Sequence, residues 1–437
     1  MRLKEHLGNV ASETSTVQFT FFVSPLRNKI GVGKDDYVLV DHPVYGEMYP
    51  LLAVVREIRG YEEVMGSALG EKSVNLVAVG EPVGYVDLRS EALSLHRLTM
   101  PPNPGSKVYL PYPEFLEDVL SRDSDGQRFK HALHLGTLDS SAVDKTGKVR
   151  QLNFFLNGDG LIKQHLLISG ISGAGKTYLA SVLVEELANK VGCPVVVMDP
   201  HGEYSCIGVP DSGFKALLQK RGVSAEEYSF GFKVSVHTCD ADKVRSEFKK
   251  WSVDLEQPRR FSVEPVLDRW KGSSDEKDEA DFSDVLRHGM KPSVVTVVDS
   301  RGISFEDRAR LFECCANALL NGRLRGEVPP FVLLVDETSL LGHETLRMIA
   351  SEGRRLGVSM CLLCQHPVKI GGEVLSQMGG QMIGRTTEAE DLECLKAMAG
   401  DKAGHLSELK RGEWIINGMM IRQPVKVHLR NRYSIHP

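Results

Sequence analysis

The sequence predicts an α/β protein in which a largely parallel sheet is flanked by helices and preceded by a small all-β domain. Three observations predict it. Before residue 105 the apolar residues fall in short β-like runs at close spacing, and after residue 150 apolar strand-length runs alternate with helical stretches. One of the later runs, residues 166–168, leads into the glycine-rich string Gly170-Ile171-Ser172-Gly173-Ala174-Gly175-Lys176-Thr177 and from there into a helix over 178–190.

The early runs cover residues 17–23, 37–40, 51–58, 74–79 and 83–88, separated by glycines and Asp-rich turns. Such spacing suggests a small barrel or sandwich. Pro101-Pro102-Asn103-Pro104-Gly105 reads as a linker, so a domain over 1–105 is expected ahead of a larger one over 106–437. In the larger domain the runs at 166–168, 195–198, 294–298, 332–335 and 360–363 alternate with helices, which implies parallel strands covered on both faces. A polar, helix-leaning insertion is expected over about 206–290, and its charge run at 271–279 reads as a solvated face. A C-terminal hairpin or arm completes the expected order.

The chain has 437 residues, 42% hydrophobic and 25% charged, enough for two domains with substantial cores. The start, Met1-Arg2-Leu3-Lys4-Glu5-His6, holds no apolar export segment, and no uncharged apolar stretch reaches the ~18 residues a membrane span needs. A cytoplasmic protein without membrane insertion is the expectation. Eight cysteines, several inside apolar runs, fit buried reduced thiols. Cys361 and Cys364 form a C-x-x-C, but in a strand residues three apart point to opposite faces, so the pair cannot chelate. The net charge of −5 excludes a uniformly basic surface, so any nucleic acid must meet its cations in one groove or pore.

The string from Gly170 to Thr177 matches G-x-x-x-x-G-K-[ST], and its place between an apolar strand and a helix gives the match its weight. Backbone N–H groups of Gly170, Ile171, Ser172, Gly173, Ala174 and Gly175, with Lys176, Thr177 and Tyr178 opening the helix, can converge on a phosphate. Lys176 would bridge the β- and γ-phosphates of ATP, and Thr177 would ligate Mg²⁺. The alternative is a glycine turn before an ordinary helix.

A second element is Phe331-Val332-Leu333-Leu334-Val335-Asp336-Glu337, an apolar strand ending in two acids. Open α/β sheets bind ligands at the carboxyl ends of their strands. Asp336 would hold Mg²⁺ through water, and Glu337 would orient or deprotonate the attacking water. Two further strand ends point to the same place: 195–198 runs into Asp199-Pro200-His201-Gly202-Glu203-Tyr204, and 361–364 into Gln365. A neutral amide there can sense the γ-phosphate, because Gln both donates and accepts. Asp199 and Glu203 are candidates for the same site, the alternative being turn formation around Pro200 and Gly202.

Together these motifs resemble the HerA family of DNA-translocating ATPases, in the wider group that includes FtsK. The resemblance is carried by the loop, by residues 199–204, by Val335-Asp336-Glu337 and by Glu352-Gly353-Arg354-Arg355-Leu356-Gly357 followed by Cys364-Gln365-His366-Pro367. Arg385-Thr386-Thr387, Asp391-Leu392, residues 412–416 and residues 424–427 are also similar to family segments. It covers roughly residues 130 to 430, and the early β runs look like the family's N-terminal barrel by pattern alone. The resemblance implies a RecA-like P-loop NTPase core, ATP and Mg²⁺ as cofactors, and a homo-hexameric ring passing double-stranded DNA through its pore, often beside a NurA-type nuclease. It also makes Arg354, Arg355 and Arg385 candidates for a charge-stabilising finger supplied to a neighbouring subunit, against the alternative of surface ion pairs. His366 stands where the family more often has Arg, and Thr338-Ser339-Leu340 replaces the usual Ala-His. Two other readings remain open on the sequence: a conjugation or secretion motor, and the ATPase of a defence complex acting with another effector.

Overall fold

The computed structural model describes residues 4–23, 32–63, 73–89, 93–143, 148–209, 211, 213, 231–239, 290–419, 421 and 423–436. They form two compact units, Met1–Asn157 with Val425–His428 and Gly158–Pro424 with Leu429–Pro437. The first unit therefore runs past the break expected near residue 105.

Its strands are β1 (Lys4–Thr14), β2 (Phe19–Val23), β3 (Tyr37–Val44), β4 (Glu47–Glu63), β5 (Ser73–Val86), β6 (Leu95–His96) and β7 (Lys107–Pro111). They run in the order β2-β1-β7-β3-β4-β5, and β2 pairs with β5 to close a six-stranded antiparallel barrel, with β6 added beside β5. Closure removes the free edges that an open sheet would expose. Phe19, Phe21 and Val23, like Leu51, Ala53 and Val55, fill the interior at alternate positions, as the strand period requires. The unit continues through α1 (Pro113–Leu120) into the antiparallel pair β8 (Ala132–Val143) and β9 (Val149–Asn157). Register shifts between His134 and Gly136 and between Thr137 and Ser141 break the alternation there, which hides the pair from a pattern reading.

The second unit contains β10 (Leu166–Ser169), α2 (Lys176–Glu186), β11 (Val195–Asp199), β12 (Lys233–Thr238), β13 (Val294–Asp299), α3 (Phe305–Leu324), β14 (Phe331–Asp336), α4 (His343–Leu356), β15 (Val358–Cys364), β16 (Gly380–Ile383), α5 (Ala389–Ala399) and β17 (Glu413–Gly418). Its sheet has the order β12-β13-β11-β14-β15-β10-β16-β17, parallel throughout except for the last pair. Parallel strands must be buried on both faces, and β10, β11, β14 and β15 are buried at every position. Helix α4 lays Leu346, Ile349, Ala350 and Gly353 against the sheet at helical spacing and stops at Gly357, whose φ of +74° a side chain would strain. Ser304 caps α3 by accepting the Asp307 N–H at 3.3 Å.

One expectation needs correcting. The insertion is not helical throughout, because β12 lies inside it and extends the parallel sheet beside β13. Most of the rest, including the charge run at 271–279, lies outside the described residues. The last strand, β18 (Val425–Leu429), gives its residues 425–428 to the first unit, where Lys426 and His428 pair with Asp139 of β8. Among the described residues no helix is long and apolar enough to cross a membrane.

Candidate active site

The loop leaves β10 at Gly170 and enters α2 at Lys176. Gly173 and Gly175 take φ of +79° and +96°, a conformation that only glycine adopts without strain, and a Cβ on either would meet nothing within 4 Å. Conformation, not crowding, demands glycine here, and both glycines line the open cavity described below. The end of β16 supports the loop from behind: Ile171 N–H donates to the Arg385 carbonyl at 2.8 Å, and Gly384 N–H donates to that of Ser169 at 2.8 Å. The Lys176 ammonium folds back onto the Gly170 and Ile171 carbonyls at 2.9 and 3.1 Å. Burial lowers its pKa, opposed by the attraction of Asp336.

The acids come from the end of β14, which is not the neighbour of β10; β15, which Gln365 follows, lies between them. Asp336 is 8% exposed. Burial pushes its carboxyl up to about 6, with the Asp199 and Glu203 charges adding to the rise and the Tyr204 and Thr177 hydroxyls opposing it. Glu337 follows at φ +133°, a strained conformation for a residue with a side chain. Its Oε1 accepts the Ser339 hydroxyl at 2.8 Å, while Oε2 lies 3.6 Å from His201 Nε2.

Asp199, a candidate for the site, serves as the anchor of the turn that follows β11. One oxygen accepts the N–H groups of His201, Gly202 and Glu203, and the other that of Tyr204 at 2.9 Å. Burial raises its pKa against those four bonds. Gly202 closes the turn at φ +77° with the Arg301 side chain lying over it, and Arg301 is clamped to buried Asp299 at 2.6 Å.

A cavity of about 840 Å³ joins these parts, within the range that admits a nucleotide-sized ligand. Ser172, Gly173, Gly175, Lys176, Thr177 and Tyr178 line it together with Glu203, Asp336, Glu337 and Gln365. Gly170, Ile171 and Ala174 shape the loop without facing the cavity, and Asp199 stands behind its turn. None of the three arginines is among the lining residues: Arg354 donates to the Lys163 carbonyl at 3.3 Å, Arg355 pairs with Glu352 at 3.5 Å, and Arg385 supports the loop through its carbonyl. The residues that sequence reasoning missed are His201, Ser339, His343, Lys369, Arg411 and His436. His201 and Ser339 sit inside motif strings already singled out, whereas the two basic residues and His436 come from turns and a tail with no local signal. His366 also lines the cavity, its Nδ1 2.9 Å from Asp391.

Thr177 and Asp336 offer hydroxyl and carboxylate oxygens, the donors a hard divalent cation takes, amid an excess of carboxylates that a cation would relieve. Magnesium fits this pair. Cys361 and Cys364 are free and buried in β15, burial pushing the Cys364 thiol up to about 12. No cluster of three or more metal-ligating side chains occurs among the described residues.

A family model described as "Helicase HerA, central domain" matches residues 133–291. The DNA double-strand break repair helicase HerA of Pyrococcus furiosus is 20% identical, the match covering 98% of this chain and 93% of that one. The protein of the same name from Sulfolobus acidocaldarius is 22% identical over 76% of this chain and 74% of its own. Among solved structures, the bacterial conjugative coupling protein TrwBΔN70 overlays with a TM-score of 0.41 at 14% identity, covering 74% of this chain and 93% of that one. With the glycine loop, the interposed strand and the paired acids in one cavity, the chain is an ATP-hydrolysing P-loop enzyme similar to the HerA helicases over most of its length.

Proposed function

We propose that the chain is a motor that uses ATP hydrolysis to move along double-stranded DNA as a hexameric ring. The observation that carries the reading is the single cavity in which the loop and Lys176 meet Asp336, Glu337 and Gln365. Loop amides and Lys176 would hold the phosphate chain. Magnesium, when bound by Thr177 and Asp336, would neutralise phosphate charge. Glu337 would take the proton of the attacking water, and Gln365 would report the presence of the γ-phosphate. Asp199 would act by ordering the turn that carries His201 and Glu203. Arg354, Arg355 and Arg385 stand away from their own chain's cavity, and one of them would stabilise transition-state charge in a neighbouring subunit's site, the alternative being surface ion pairs such as that of Arg355 with Glu352.

DNA as the track is supported by the relatives' description as break-repair helicases. A chain of net charge −5 must meet DNA phosphates through a few basic residues, and a ring multiplies each by the number of subunits. In this reading residues 1–105 form the family's N-terminal barrel, and a NurA-type nuclease would act beside the ring at DNA ends.

The test is ATP hydrolysis without DNA, with blunt linear duplex and with closed circular duplex, alongside sedimentation in ATP and Mg²⁺. Linear duplex should stimulate most, because a preassembled ring loads over an end, and the stimulation should fall steeply with salt. No stimulation by any DNA, or a strict monomer, would overturn the reading.

A further inference from the structure

The C-terminal tail, residues 429–436, is locked to helix α2 by buried acids. Glu185 accepts the Ser434 and Tyr433 N–H groups at 2.8 and 3.2 Å, and Arg430 bridges it to Glu186. Both partners of the Glu185–Arg430 pair are nearly inaccessible, with side chains 2% and 7% exposed. Removing one partner of such a pair leaves an uncompensated buried charge, so the tail is an integral part of this unit. Farther along, the Arg432 N–H donates to the Tyr178 hydroxyl at 2.8 Å, and the His436 ring stacks on that of Tyr178 with centroids 5.6 Å apart and planes 22° from parallel.

Tyr178 directly follows the loop's Lys-Thr pair, and both it and His436 line the cavity. A nucleotide held there by its phosphates still has a flat, largely apolar base to place. The other rings that line the cavity are single imidazoles committed elsewhere: His201 against Glu337, His366 against Asp391, and His343 over Gly371. Among the described lining residues, Tyr178 and His436 are the two rings that stack on each other, and His436 is exposed.

We propose that the tail completes the nucleotide site, the base of the bound nucleotide stacking on the His436–Tyr178 pair. The proposal rests on the nucleotide reading of the loop. It makes His436 a binding residue supplied from more than 250 positions along the chain, and it ties the tail's seating on α2 to occupancy of the site.

Calorimetric titration with ATP and with inorganic tripolyphosphate, which has the phosphates and no base, tests it. Base–aromatic stacking is worth about 1–3 kcal/mol, so His436→Ala should weaken ATP about 5- to 150-fold and leave tripolyphosphate unchanged. His436→Phe, which keeps a ring, should restore ATP binding. Equal losses for both ligands, or no loss for either, would overturn the proposal. Lys176→Ala should weaken both ligands; if it weakens neither, the nucleotide reading itself fails and takes the proposal with it.

Discussion

His201 Nε2 stands 3.6 Å from Glu337 Oε2, on the side of the carboxylate opposite the Ser339 hydroxyl. The two contacts fix the direction in which a strained residue presents its acid. His201→Ala and Ser339→Ala should therefore lower kcat by roughly 10- to 100-fold, the cost of a misplaced reacting group. The KM for ATP should change little. Steady-state kinetics check this, and an equal rise in KM would mean the pair binds nucleotide instead.

Lys176→Ala should abolish turnover while the fold survives. Among the described residues the Lys176 ammonium hydrogen-bonds only two carbonyls of its own loop, so the core is not expected to depend on it. Thermal unfolding and ATPase assays on the same sample separate the two effects, and a destabilised variant would contradict the placement.

Glu337→Gln should bind ATP and turn it over very slowly, because the amide cannot take the proton from water. Glu337→Gly should be equally inactive yet more stable, since φ +133° strains a side-chain-bearing residue by about 1–3 kcal/mol. Chemical denaturation of the two variants checks the difference.

Mixing Lys176→Ala subunits with Arg355→Ala subunits should restore part of the activity that each lacks alone. Arg355 has an 82% exposed side chain and is absent from its own chain's cavity. An interface between the two variants can then hold one intact site. Rescue by Arg354→Ala or Arg385→Ala in its place would move the finger to that residue, and no rescue by any of the three would exclude a trans arginine among them.

His165 gives the fold an acid sensitivity of its own. It is fully buried, its Nδ1 accepts the Met360 N–H at 3.0 Å, and burial lowers its pKa to about 4. The unfolded chain binds the proton more readily, so this contribution is complete above the unfolded pKa of about 6.5 and is lost as pH falls from there toward 4. The loss is on the order of 3 kcal/mol. Denaturation midpoints between pH 7.5 and 4.5 should fall less steeply in His165→Gln than in the parent chain.

The loop, the acids after β14 and the tip of β15 are legible in the sequence because backbone geometry dictates them: glycines at positive φ, and buried strands that turn polar only at their ends. The barrel strands β1 and β7 are not, since the register of β1 shifts between His6 and Gly8 and its apolar positions, Leu7 and Val10, fall out of alternation. Strand β12 is hidden for another reason, as an edge strand with polar Lys233, Ser235 and His237 on alternate positions carries little apolar signal. Arg411 and His436 reach the cavity only through tertiary placement, and no local pattern announces such a residue. Asp199 shows the converse: a carboxylate at a strand tip has the sequence signature of a reacting group and the bonding of a turn anchor.

Neighbouring strands lie about 4.8 Å apart, so β15 holds the tips of β10 and β14 at roughly twice that distance. Were the two strands adjacent, Lys176 could close on the acids of β14 as an internal ion pair, and the site would satisfy itself. With a strand's width between them, opposite charges are kept within sight of each other and out of reach. A molecule that is anionic at one end and presents a bond to water at the other fits between them. The order of the sheet thus sets a molecular ruler, graduated by backbone spacing before any side chain is chosen.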